Sequence, residues 1–280
     1  IRAAIADCRR RALALSPGAR AVVLFPNHNL CATRPAPNAT CDGQEDIVGD
    51  PDGTVLPFLT GALNVTSNMC PPDKKLKEKY FNMAQEICMQ EKVEHMMQFV
   101  SVDAFGKRAE YIRDGLDFDY MMDNVEEFLD RIPVRNSITF ICTYNNLSIT
   151  SMDKLLSKVL ELRQRYSKTY QRVWFDVPLL RQPAWQQITL LPESYQIIHE
   201  DNIKYMQANS GEANGLHIFK DFEIQKMQRN LAYWRENADA STQNKKNFYA
   251  FFNEHDRRRL TRFLNTFPEM EEFWEDCKNA

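Results

Sequence analysis

The sequence predicts an α/β fold with parallel strands, and three observations carry that expectation. Four short β-rich runs begin at residues 62, 97, 138 and 173, spaced 35, 41 and 35 residues apart. Between consecutive runs lies a stretch of about four helical turns with apolar residues at helical spacing. A strand that rejoins its sheet through a helix runs parallel to its predecessor and crosses over right-handedly, so the units build either a doubly wound sheet or a (β/α) barrel. The 280 residues, 44% hydrophobic and 26% charged, suffice for one large globular domain or two modest ones.

The first segment, residues 1–61, stands apart as a Pro/Gly/Ala-rich stretch. Its first 60 residues hold six prolines and four glycines but no Lys, Met, Tyr or Trp, and the first methionine is Met69. Within it only 21–25 (AVVLF) reads as a strand, ended by Pro26, and 38–53 reads as turn-rich loop. This composition predicts either a small accessory domain or a disordered or misjoined front end.

Residues 62–191 form the predicted core. The strands are 62–66 (ALNVT), 97–102 (MQFVSV), 138–143 (ITFICT) and 173–177 (VWFDV), with helices over 75–90, 120–131 and 151–166. Met121, Val125, Phe128 and Leu129 share one helix face, and Leu155, Leu156, Val159, Leu160 and Leu162 share another. Such stripes are core faces. From 192 to 280 the pattern is helical: a helix over 192–209, a turn at 210–215, a helix over 219–236, a polar linker at 238–246 and an aromatic, charged helical tail over 247–276. That tail reads as a cap on a barrel or a surface for a partner.

A net charge of −3 provides no basic field for nucleic acid. No run reaches the ~18 to 20 apolar residues of a membrane span, and the first 20 residues lack the order of a secretory signal. Seven irregularly spaced cysteines predict reduced thiols and a cytoplasmic protein rather than a disulfide framework. P-loop, G-x-G-x-x-G, H-E-x-x-H and G-x-S-x-G motifs are absent.

In both parallel architectures ligands meet the carboxyl ends of the strands. The residues there are Ser67 and Asn68, then Ser101 and Asp103, then Asn145, and last Asp176. Hydroxyls, amides and single carboxylates suit a polar small molecule with sugar, amine and carboxylate groups better than a phosphate. Each residue alone is also a common turn former.

The run 99–119, FVSVDAFGKRAEYIRDGLDFD, followed by an amphipathic helix, resembles the fourth strand and following loop of radical S-adenosylmethionine (radical SAM) enzymes. LNVTSNMCPP (63–72) resembles that family's third strand, ITFICTYNNLSI (138–149) its fifth and RVWFDVPLLRQPAW (172–185) its sixth; FYAFFNEHDRRR (248–259) and FPEMEEFW (267–274) are similar to the tail of twitch domain-containing radical SAM proteins. The resemblance covers residues 62–280. It implies an incomplete (β/α) barrel with a helical C-terminal extension, S-adenosylmethionine and a [4Fe-4S] cluster as cofactors, and reductive cleavage to a 5′-deoxyadenosyl radical acting on a small-molecule or peptide substrate. An active enzyme would also need a reductant protein as partner. Carried over by position, Ser101 and Asp103 resemble the polar pair near the cofactor's ribose, and Arg113 the anchor for its methionine carboxylate, a task suited to a forked guanidinium. Asn145 resembles the amide after the fifth strand; Ser67 and Asn68 would line the same mouth, with Asp176 at the sixth strand's end.

One departure limits what the resemblance implies. The family's C-x-x-x-C-x-x-C motif aims three thiolates at one cluster, but the cysteines here are 8, 31, 41, 70, 88, 142 and 277, and no two have that spacing. His28, His95, His199, His217 and His255 share no metal-ligand spacing either. The expected chain is therefore a radical SAM family protein lacking turnover as it stands, with a non-catalytic binding or interaction module as the alternative. The triplet Arg257 to Arg259 reads as a solvated helix face, with an anion site as its other reading.

Overall fold

The computed structural model describes residues 61–211 and 215–280, together with the backbone of 21–24, 30–31 and 59–60. Among these residues the strands are β1 (Ala21–Leu24), β2 (Leu30–Cys31), β3 (Leu59–Ser67), β4 (Val93–Ser101), β5 (Asn136–Ile141) and β6 (Val173–Asp176). They hydrogen-bond in the order β2-β1-β3-β4-β5-β6. The four strands β3 to β6 are parallel, as their spacing predicts. β1 runs parallel to β3 and antiparallel to β2. The turn-rich loop expected at 38–53 lies outside the described residues.

The described helices are α1 (Lys74–Met89), α2 (Lys107–Ile112), α3 (Phe118–Arg131), α4 (Met152–Tyr166), α5 (Gln196–Ala208), α6 (Asp221–Glu236), α7 (Thr242–Arg259), α8 (Phe263–Thr266) and α9 (Glu271–Asn279). None is long and apolar enough to cross a membrane. The chain divides into two compact units, residues 1–100 with 120–139 and residues 101–119 with 140–280.

In the first unit, α1 starts where the Asp73 carboxylate accepts from Lys75 N at 2.9 Å, satisfying a backbone donor that the helix leaves unpaired. α1 buries Phe81, Ala84 and Cys88, three residues and then four apart, and α3 buries Met121, Val125, Phe128 and Leu129, the stripe read from the sequence. The two stripes meet edge to face at Phe81 and Phe128, ring centroids 5.9 Å apart. Beside them Lys77 pairs with Glu127 at 2.8 Å and Arg131 with Glu78 at 2.9 Å.

The second unit is organised by α4, whose buried face holds the five expected aliphatic residues and also Arg163. Arg163 and Glu223 are both fully buried and bonded to each other through two guanidinium nitrogens, at 2.5 and 3.0 Å. Arg163 Nε donates to Val173 O at 3.0 Å, while the Glu223 carboxylate accepts from Phe175 N and Lys220 N. One ion pair thus ties α4, α6 and β6 together.

Two sequence expectations are corrected here. The linker expected over 238–246 is shorter, because α7 begins at Thr242, where Ser241 Oγ accepts from Asn244 N. The segment read as a loop after β4 contains α2, which follows Gly106 at φ 61°, a backbone conformation natural to glycine. The tail packs on α2 within this unit: the Tyr111 ring lies 5.4 Å from Phe267 and 6.0 Å from Phe252, and Phe263 stacks on Trp274 at 4.5 Å.

Candidate functional site

The strand-end residues fall into two groups. Ser67 and Asn68 belong to the first unit, where local bonds engage both. Ser67 Oγ accepts from Met69 N and from Gln98 Nε2, each at 3.1 Å, and Asn68 Oδ1 accepts from Cys70 N. Gln98 is fully buried and also accepts from Tyr80 Oη, while Asn124 Nδ2 donates to Met69 O at 2.8 Å. Both residues therefore shape the turn that leaves β3, the ordinary work of Ser and Asn at such a place.

The other five lie in the second unit. Ser101 is half-buried beside fully buried Val100 and Val102, and its hydroxyl bonds to no described residue. Asp103 lies past the strand end and is 7% exposed rather than open to the solvent face. Its Oδ1 accepts from Thr143 N at 3.2 Å, and its Oδ2 lies 2.8 Å from Arg113 Nε. Glu110, three residues before Arg113, is engaged elsewhere: it pairs with Lys107 at 2.7 Å and accepts from Phe118 N.

Asn145, 8% exposed, is consumed locally: its Oδ1 accepts from Leu147 N and Ser148 N, and its Nδ2 donates to Thr143 O. Asp176 pairs with Lys226 of α6. The structure thus links Asp103, Thr143 and Asn145 by hydrogen bonds and sets Arg113 against Asp103 as an ion pair, while Asp176 takes a separate partner. Within that group Arg113 has unspent capacity. Its Nε is buried 2.8 Å from Asp103 Oδ2 as an ion-pair contact without hydrogen-bond geometry, its side chain keeps 31% exposure, and its two Nη groups bond to no described residue. A guanidinium held beside a buried carboxylate by charge keeps its forked Nη donors for a further carboxylate.

The thiols give a different result. Cys88, Cys142 and Cys277 are buried, leaving Cys70 half-buried. Burial, reinforced by Asp103, pushes the Cys142 thiol well above its ordinary value, and burial pushes Cys277 up to about 12. Among the described residues no three metal-ligating side chains gather at one point. The donor set of a [4Fe-4S] cluster therefore does not fit the described residues, and the side chains of Cys8, Cys31 and Cys41 lie outside them.

No protein-family model, curated protein or solved structure matches the chain.

Lys154, which no sequence motif singles out, lines a cavity of the second unit together with Arg259. In the arginine triplet, Arg257 and Arg258 do form a solvated face, both bonded to Glu254, whose carboxyl they hold down at about 2. Arg259 departs from that reading: it is partly buried and donates to the carbonyls of Tyr111 and Glu110. The helical rotation of 100° per residue, which turns the third arginine away from the first two, was the available signal.

Proposed function

We propose that the chain is a radical SAM-type protein whose second unit binds S-adenosylmethionine at the carboxyl ends of its strands, on an incomplete (β/α) barrel of the kind the resemblance implies. The observation that carries this reading is Arg113, ion-paired with buried Asp103 and left with both Nη groups open for one carboxylate. Ser101 Oγ, two residues from Asp103, is a further group with hydrogen-bonding capacity for a ribose. Asp103 acts as a positioning residue, since both of its oxygens are engaged within the protein.

The family's reductive cleavage would need a cluster, whose donor set the described residues do not supply. A second reading, a non-catalytic binding module, is favoured by the absence of a ligand trio among the described residues. Both readings share the cofactor site and part company over iron.

Calorimetry tests the shared element. S-adenosylmethionine should bind, and Arg113→Ala should weaken it by about ten- to a hundredfold, the worth of a charge-assisted hydrogen bond pair. 5′-Methylthioadenosine, which lacks the carboxylate, should bind both proteins alike. Equal S-adenosylmethionine affinity in the two proteins, or none in either, would overturn the assignment.

A further inference from the structure

The second unit encloses an open cavity of about 620 Å³ between α2, the start of α4, the end of α7 and α8. That volume lies within the range of small-molecule sites. Phe105 and Tyr111 supply apolar wall, and a Cβ built at Gly106 would meet nothing within 4 Å, so the wall is open there. The rim is cationic: Lys107, Arg108, Lys154 and Arg259 stand against a single lining carboxylate, Glu110.

These cations differ in how far they are already neutralised. Lys107 pairs with Glu110 at 2.7 Å, Arg108 with Glu269 at 2.9 Å and Arg259 with Asp114 at 3.1 Å. The two guanidiniums are also pinned to the protein by carbonyls, Arg108 to Thr150 O and Thr266 O, and Arg259 to Tyr111 O and Glu110 O. They are therefore held in place before any ligand arrives, which lowers the ordering cost of binding. Lys154 has no ion-pair partner among the described residues, so the rim carries one surplus positive charge. Asp114 is 86% exposed, so its pairing with Arg259 is a weak competitor for an incoming anion.

We infer that this cavity binds a small molecule through an oxyanion, a phosphate or a carboxylate, with Lys154 as the charge it neutralises and the fixed guanidiniums of Arg108 and Arg259 alongside. The apolar wall at Phe105 and Tyr111 receives the body of the ligand. None of Ser101, Asp103 or Arg113 lines the cavity, so the inference stands independently of the S-adenosylmethionine reading.

The test is calorimetric titration of the whole chain with inorganic phosphate and, separately, with acetate at constant ionic strength. Saturable binding of at least one anion is expected, with a dissociation constant of about a millimolar. Lys154→Glu should weaken it at least about tenfold, while Lys154→Arg should retain it. Lys154 is exposed, so both variants should keep the parent's circular dichroism and melting temperature. The preferred anion identifies the ligand's acidic group. Failure of both anions to saturate the parent protein, or unchanged affinity in Lys154→Glu, would overturn the inference and leave the Arg113 experiment unaffected.

Discussion

His199 is fully buried, and its ring hydrogen bonds decide its charge. Nε2 lies 2.8 Å from Met227 O, a pure acceptor, so Nε2 carries the proton; Nδ1, 2.6 Å from Tyr144 Oη, then accepts. Burial lowers its pKa to about 4. In the unfolded chain a histidine titrates near 6.5, so between these values the unfolded state binds the extra proton. The stability associated with the neutral ring is whole above pH ~6.5 and falls as the pH drops toward 4, by roughly 3 kcal/mol across the window. Urea midpoints measured from pH 7 to pH 4.5 should show this fall, and His199→Gln should flatten it; equal slopes would remove His199 as the cause. At this scale the sequence was only partly legible. Asp103 and Arg113 were identified, but their mutual pairing was not, because a ten-residue separation across a turn has no periodic signature. Ser67 and Asn145 show the converse: their side-chain oxygens bond to nearby backbone, as turn chemistry alone would have them do.

The Arg163 and Glu223 pair governs how elements are held in the second unit. Each carboxylate oxygen of Glu223 accepts from a guanidinium nitrogen and a backbone N–H, and the Arg163 guanidinium lies over the Phe219 ring at 5.1 Å. Deleting one partner strands a buried charge, so Glu223→Leu should cost about 3 to 5 kcal/mol, whereas Arg163→Met combined with Glu223→Leu should recover most of that loss. Denaturant midpoints of the two variants decide the point; a single substitution costing under about 1 kcal/mol would contradict the geometry. The helical stripes of α3 and α4 were legible, since core faces repeat at the helical period. Arg163 was not: it interrupts an otherwise aliphatic face, and its partner lies 60 residues on. The short α2 was missed for a related reason. Six residues present too few turns to show a stripe, and it is held by tail aromatics from Phe252 to Phe267.

For the whole molecule the decisive measurement is iron. Of the described thiols three are buried, and they converge on no common point with other ligating groups. On anaerobic reconstitution with iron and sulfide the described thiols should therefore contribute none of the broad charge-transfer absorbance of a cluster. A band that appears, and disappears in a Cys31→Ser variant, would place the ligands in the first segment and favour the enzyme reading. The sequence by itself determined the α/β class and the parallel direction of the four strands. Both follow from local periodicity and from the crossover that a helix between strands imposes, and neither requires distant partners. Tertiary structure alone decided which strand-end groups are spent on the fold and which remain open. It also set the cationic rim around Lys154 and the burial of Arg163 with Glu223. These depend on distances between residues far apart in the chain, which composition and spacing do not encode.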